Sequence, residues 1–187
     1  MTLFEFVTVM ISMILALSLG HLLEGISYLV RVRDRVRWHP PHSLWLAALI
    51  LTLVNHWWSL WDMHDLAWNY ASFLYILIAP IVLSFAASFL APDRPESGPI
   101  DLAAHFSRMR QPFAAALFVY VLAMWFDGPI FAGQRVLGLI GLLHLPIIGA
   151  VILAFFSNGR VANIVAPCIL IGAVMFAIFV RLSVLPR

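Results

Sequence analysis

Residues 70–90 read YASFLYILIAPIVLSFAASFL, a run of apolar and small polar side chains that contains no charge. A helix needs about twenty such residues to cross the ~30 Å hydrocarbon core of a bilayer. Pro80 lies inside the run, where it leaves one carbonyl group without its helical partner and can bend the helix. The run therefore predicts a membrane-spanning helix.

The composition of the whole chain extends this prediction to the rest of the sequence. Hydrophobic residues make up 63% of the 187 residues and charged residues 11%, which excludes an ordinary soluble domain. The sequence predicts an all-α integral membrane protein, a single transmembrane domain of residues 1–187 built as a six-helix bundle. A further helix near residues 100–110 either lies on the inner membrane surface or extends the fourth span. The six spans are predicted near residues 3–30, 44–61, 70–90, 112–126, 136–156 and 161–180.

The arginines determine the predicted orientation of the bundle. The chain has no lysine, so all 11 basic residues are arginines. If the N-terminus is external, eight arginines lie in links on the inner side and three lie on the outer side. Short loops rich in arginine stay in the cytoplasm. Both termini are therefore predicted to be external. The predicted location is a bacterial inner membrane. The predicted partners are membrane lipids and either further copies of the chain or a larger membrane complex, and no nucleic acid is expected.

Polar side chains recur at helical spacing in the first two predicted spans. The first span carries His21 and Glu24 on one face, and the second carries a polar stripe around His56. Ionisable groups inside a span are costly and usually face the bundle interior or a wet cavity. The sequence predicts a polar midplane cavity between the first, second and fifth spans. Its expected lining residues are His21, Glu24, Thr52, Asn55, His56, Ser59, Tyr120 and His144.

Other polar residues are predicted at the membrane surfaces. Asp127 begins a DGP sequence, which is typical of a turn. Together with it, two further aspartates are expected on the outer face, namely Asp62 and Asp65. Four histidines are expected in water at the two interfaces, where they need no special partner: His39, His42, His64 and His105.

The favoured function is transport or conduction of a small ion or solute, linked to protons. Histidine and glutamate are suited to passing protons because burial and neighbouring charges readily move their pKa values. In this hypothesis His21, Glu24 and His56 belong to one hydrogen-bonded or water-linked cluster. The first and second spans are joined by a short link and are therefore expected to pack side by side, which would bring their polar faces together.

Three alternatives remain open from the sequence. His56 and His144 could ligate a b-type haem from two helices, so a haem or redox protein is one alternative. An enzyme that modifies a lipid or isoprenoid, with Glu24 and Asp62 as acid and base, is another. The third is a membrane subunit without chemistry of its own.

Several chemistries are excluded by the residues that the sequence lacks. Covalent retinal or pyridoxal needs a lysine amine, and there is none. A single cysteine, Cys168, rules out an intramolecular disulfide. His21 with Glu24 is an isolated HXXE without the paired motifs of a di-iron bundle, so no metal site is predicted. The sequence does not identify a cofactor.

Overall fold

We describe a computed structural model of the chain, which covers residues 2–64, 68–92, 98–133, 135–157 and 159–184. The described part is almost entirely helical. Two short 3₁₀ turns, Arg33–Arg35 and Leu60–Met63, follow the first two helices. The helices are α1 Leu3–Arg31, α2 Pro40–Ser59, α3 Tyr70–Leu90, α4 Leu102–Ala132, α5 Leu139–Leu142, α6 His144–Phe156 and α7 Arg160–Val184.

Five of these helical segments are long and apolar enough to cross a membrane, and α6 is a shorter apolar helix. The predicted span at 70–90 coincides with α3, and the first span ends one residue later than expected, at Arg31. The coarse prediction of an all-helical, multi-pass membrane protein therefore agrees with the structure. The qualifying segments are Leu3–Arg31, Pro40–Met63, Tyr70–Leu90, Leu102–Phe131 and Val161–Val180.

The fourth span is longer than the predicted 112–126. One continuous helix α4 runs from Leu102 to Ala132, so the segment near 100–110 extends the fourth span, which was one of its two predicted arrangements. The side chain of Asp101 starts it by accepting hydrogen bonds from the backbone of Ala103 and Ala104, both at 3.0 Å. The helix also passes through the DGP sequence and ends at Gly133, whose φ of 60° is left-handed. The predicted turn at Asp127 is therefore wrong.

The fifth predicted span, 136–156, is interrupted. The short helix α5 stops at Leu142, and α6 begins at His144. Gly141 lies at this interruption, where a Cβ atom would overlap the carbonyl oxygen of Val136. The indole Nε1 of Trp125 donates a hydrogen bond to the same oxygen at 3.0 Å and so ties the segment to α4. Close backbone approach explains why glycine occupies position 141.

The helices pack as a ring in the order α1, α3, α4, α6, α7 and α2, and α2 also contacts α1, α3 and α4. The main partner of α1 is α3, not α2. The fifth predicted span packs, as α6, on α4 and α7. The first, second and fifth spans therefore do not form the three-helix arrangement that the sequence predicted.

Two of the arginine-bearing links meet at one end of the bundle. A two-residue strand β1, Val36–Arg37, pairs in parallel with β2, Ile100–Asp101. The guanidinium Nε of Arg35 donates to the carbonyl oxygen of Gly98 at 2.9 Å, and Arg37 lies 3.8 Å from the carboxylate of Asp101. We call this end, with residues 31–39 and 98–101, the arginine end.

The outer surface of the bundle is apolar. Large side chains such as Leu17, Phe156 and Phe179 are more than two-thirds exposed. Apolar surface of this extent is costly in water but not in lipid. The exposed side chains agree with a membrane location.

Candidate functional site

The buried polar residues of the bundle concentrate where α2 faces α4. Residues 42, 45 and 56 of α2 contact residues 105, 113 and 120 of α4, in that order. The residue numbers increase together along both helices, so α2 and α4 run in the same direction. Buried polar groups in a membrane helix are costly and mark candidate functional sites. We define the α2–α4 seam by seven buried residues: His42, Trp45, Thr52 and His56 of α2, and His105, Phe113 and Tyr120 of α4.

The upper part of the seam, far from the arginine end, contains His56 and Tyr120. Their rings meet edge-on, with centroids 5.7 Å apart and an interplanar angle of 78°. His56 is 1% exposed and Tyr120 is 7% exposed, so bulk water does not reach the imidazole. One turn earlier, the hydroxyl of Thr52 donates to the carbonyl oxygen of Ala48 at 2.8 Å. This part of the seam brings together three of the predicted cavity residues.

The lower part of the seam contains a second histidine pair, near the arginine end. The rings of His42 and His105 are 5.8 Å apart and nearly perpendicular. His42 is fully buried, and its Nε2 lies 2.9 Å from the carbonyl oxygen of Leu90. Because a carbonyl can only accept, Nε2 carries the proton and donates to it.

The burial of His42 and His105 corrects the prediction that both lie in water. The last carbonyl of α3, at Leu90, and the ring of Phe106 cover His42. The sequence could not reveal this cover, because it comes from helices distant in the chain.

An apolar pair separates the two histidine layers. Trp45 and Phe113 pack edge-on with centroids 5.1 Å apart, and both are 1% exposed. His42 and His56 are 14 residues apart on α2, which corresponds to ~21 Å at the helical rise of ~1.5 Å per residue. The seam therefore holds two histidine layers with the packed Trp45–Phe113 pair between them.

A further polar pair lies beyond the seam on α3 and α4. The hydroxyl of Tyr75 donates to the carbonyl oxygen of Ala123 at 2.6 Å. The half-buried carboxyl group of Asp127 lies beside the same hydroxyl. The sequence predicted Asp127 on the outer face but did not single out Tyr75.

Two predicted cavity residues of α1 lie elsewhere. His21 and Glu24 are exposed, whereas the buried face of α1 runs through Ser18, Leu22 and Gly25. The hydroxyl of Ser18 donates to the carbonyl oxygen of Ile14 at 2.7 Å and is satisfied within its own helix. Shifting a helical face by one residue rotates it by ~100°, so the polar face that was predicted to meet α2 is turned away from the interior.

The remaining predicted residues occupy the ends of helices or half-buried positions. Asn55 and Ser59 are half-buried, and Ser59 donates to the carbonyl oxygen of His56 at 2.7 Å. His144 is half-buried at the first position of α6. Asp62 is exposed in the 3₁₀ turn after α2, and Asp65 lies outside the described residues.

The haem-ligand pair His56 and His144 stays a prediction. His56 contacts Tyr120 edge-on, while His144 lies on α6, whose main partners are α4 and α7. In the parts of the chain that the structure describes, no group of three or more histidine, cysteine, aspartate or glutamate side chains is placed to hold a metal ion.

A buried arginine, which was predicted only as part of a charged link, fixes the C-terminal end of α6. Arg110 of α4 is 5% exposed. Its guanidinium donates to the carbonyl oxygens of Ala154, at 3.1 Å, and Ser157. A cation at a helix C-terminus also interacts favourably with the helix dipole. Arg110 therefore anchors α6 to α4.

Comparisons of the chain with protein-family models, with curated proteins and with solved structures found no match. The function is therefore inferred from the geometry of the seam and the chemistry of its residues.

Proposed function

We propose that the protein crosses a bacterial inner membrane six times, with the arginine end in the cytoplasm and both termini outside. The eight-to-three distribution of arginines supports this orientation, because arginine-rich short loops stay in the cytoplasm. The link from 31 to 39 and the link at 98–101 meet in the β1–β2 pair, which supports their location on one side.

Two hydrogen bonds support the sixth crossing. Trp125 binds the carbonyl oxygen of Val136, before α5, and Arg110 binds that of Ala154, near the end of α6. The two donors are 15 residues apart on α4, or ~22 Å along its axis. The interrupted α5–α6 segment thus extends along most of the ~30 Å hydrocarbon thickness.

We infer that the protein moves protons, alone or with a small solute, along the α2–α4 seam. The observation that carries this proposal is the pair of buried histidine layers, His42 with His105 and His56 with Tyr120. A histidine ring can accept a proton at one nitrogen while donating from the other. Two such layers on one axis are more than helix packing requires.

The Trp45–Phe113 pair fits the role of the barrier in this proposal. A continuous polar path between the layers would leak protons, whereas two buried aromatic rings exclude water. Transfer between His42 and His56 then needs a rearrangement that separates these rings and admits water. Lids and gates of this kind move on microsecond to millisecond timescales.

Proton flux into liposomes tests this function. The full-length protein is reconstituted with a pH-sensitive dye inside, and flux is driven by a potassium diffusion potential. We expect measurable flux for the unchanged protein and loss of most of it in His56→Gln, which keeps a polar side chain but has no titratable ring. His64→Gln, an exposed histidine in the turn after α2, is the matched control and keeps full flux. Equal flux in all three proteins would contradict the proposal.

A further inference from the structure

An apolar groove of about 410 Å³ runs between α4 and α6 on the outer surface of the bundle. Small side chains on α4 open it, since Ala115 stands where a larger residue would fill the space. Aromatic and branched side chains form its walls. The lining includes Ala115, Phe118, Val119, Ile152, Phe155 and Phe156.

The groove lies beside the last turns of α6 and the middle of α4. Phe156 is the last residue of α6, and Ser157 after it is held by Arg110. Val119 is 43% exposed and Phe156 is 76% exposed, so the groove opens toward the surroundings of the bundle. In a membrane those surroundings are lipid chains.

A positive charge lies on the same outward stripe of α4. Arg108 is exposed, as are Ala115 and Val119. Residues 108, 115 and 119 fall within about 20° of one helical line. Arg108 is seven residues from Ala115, ~10 Å along the axis, on the side of the arginine end. The stripe therefore combines an apolar groove with a cation beyond its lower mouth.

We propose that this groove binds one acyl chain of an anionic phospholipid of the inner leaflet, whose phosphate is held by Arg108. The groove matches a hydrocarbon chain in its wholly apolar lining and in a volume of the order of one chain. The guanidinium group suits phosphate because it can donate two parallel hydrogen bonds. Its long apolar stem can follow the helix surface while the charge stays at the headgroup level.

The charge favours a lipid over a second copy of the chain in this groove. Two copies related by a two-fold axis along the membrane normal would present Arg108 at the same depth from both sides. Such like charges repel each other near the centre of a membrane interface. A phospholipid instead brings a negative charge to that depth.

Lipid binding to the purified, delipidated protein in detergent tests the proposal by native mass spectrometry. The probes are dipalmitoylphosphatidylglycerol and dipalmitoylphosphatidylcholine, which have identical chains and differ in net charge. We expect tighter binding of the phosphatidylglycerol, with a preference that falls about fivefold in Arg108→Gln, the effect of ~1 kcal/mol for one arginine near a headgroup. Arg33→Gln removes an exposed arginine of the same end and keeps the preference. Equal binding of the two lipids, or an unchanged preference in Arg108→Gln, would overturn the proposal.

A second variant tests the groove itself. Ala115→Trp fills it and is expected to weaken binding of both lipids, whereas Ala16→Trp, on the exposed face of α1, leaves binding unchanged. If the unchanged protein is a dimer and Ala115→Trp makes it monomeric, a second copy occupies the groove and the proposal fails. If Ala115→Trp does not fold, the charge comparison with Arg108→Gln decides alone.

Discussion

His56 of α2 and Tyr120 of α4 meet edge-on, with ring centroids 5.7 Å apart, in the interior of the bundle. The two residues lie on helices that run in the same direction, and 14 residues below His56 the same pair of helices brings His42 against His105. The α2–α4 seam thus repeats one kind of contact, an imidazole against an aromatic ring, at two depths. This repetition is what supports proton movement along the seam.

Replacing Arg110 should loosen the anchor of α6. In Arg110→Met the carbonyl oxygens of Ala154 and Ser157 lose the guanidinium donor, and Ser157 keeps only the 3.4 Å bond from the side-chain amide of Asn163. A buried acceptor that loses its donor costs about 1–3 kcal/mol. We expect the free energy of unfolding in detergent to fall by about 2 kcal/mol. Arg33→Met, an exposed arginine, should change it by less than about 0.5 kcal/mol. Equal effects of the two variants would show that the buried bonds of Arg110 do not hold α6.

Substitution of Gly141 tests the interruption between α5 and α6. A Cβ atom at this position overlaps the Val136 carbonyl oxygen and approaches the indole Nε1 of Trp125 to 3.0 Å. Gly141→Ala should therefore lower stability by about 1–3 kcal/mol. Gly149→Ala is the matched control, since a Cβ there meets no described heavy atom within 4 Å. The control should be neutral or stabilising by up to ~1 kcal/mol, because alanine is the better helix former. If both variants are as stable as the unchanged protein, the helix is continuous across 139–156 and the interruption at Gly141 is contradicted.

Hydropathy alone predicted the boundaries of some helices, but it could not predict those of others. The run at 70–90 has charged or helix-breaking neighbours on both sides, so its ends are visible in the sequence. For α4, the polar residues between Leu102 and Pro112 left two alternatives, a separate surface helix or an extension of the fourth span. The structure has the extension, a single helix that Asp101 starts and that runs on to Ala132. Proline at 112 and 129 and glycine at 128 indicated breaks that the long helix accommodates.

The candidate site was predictable in part, for a physical reason. Thr52 and His56 stand out because they are polar residues in an apolar run, and both are buried. His21 and Glu24 share the same signal but face outward, because helical periodicity gives the relative positions of residues and not the direction of the face. Trp45 and Phe113 carry no signal at all, since apolar residues are expected in a span. Only the packing of α2 on α4 gives them a position between the histidine layers.

The acidity of Asp101 predicts how the start of α4 responds to pH. Hydrogen bonds from the backbone N–H of Ala104 and then of Ala103, with the nearby charge of Arg37, hold the pKa of Asp101 below its ordinary value of 3.8. A carboxyl group with a lowered pKa stabilises the fold above its ordinary pKa, and this contribution is lost as the pH falls through the lower value. Asp101→Ala should therefore melt at a lower temperature than the unchanged protein at neutral pH.

The difference between the two melting temperatures should vanish in acid, below pH 3.8. Asp34→Ala removes a carboxylate from the other link of the same end and should follow the unchanged protein throughout. A constant gap between the Asp101→Ala protein and the unchanged protein down to the lowest accessible pH would show that its carboxylate charge does not matter.

Cysteine labelling tests the orientation of the bundle. After Cys168 is replaced with alanine, a cysteine at position 33 should resist a membrane-impermeant maleimide in intact cells and react once the cells are opened. A cysteine at position 64, exposed at the opposite end of α2, should react in intact cells. Labelling of position 33 in intact cells would show that the arginine end is outside the cell and would contradict the proposed orientation.

A mutant cycle on proton flux tests most directly whether the seam is the proton path. Flux into liposomes is measured for the unchanged protein, His56→Gln, Tyr120→Phe and the double variant, with stability of each measured in parallel. Residues that act in one path have non-additive effects. We predict that each single variant lowers flux and that the double variant is no slower than His56→Gln alone. Flux that stays at the level of the unchanged protein in all three folded variants would contradict the account.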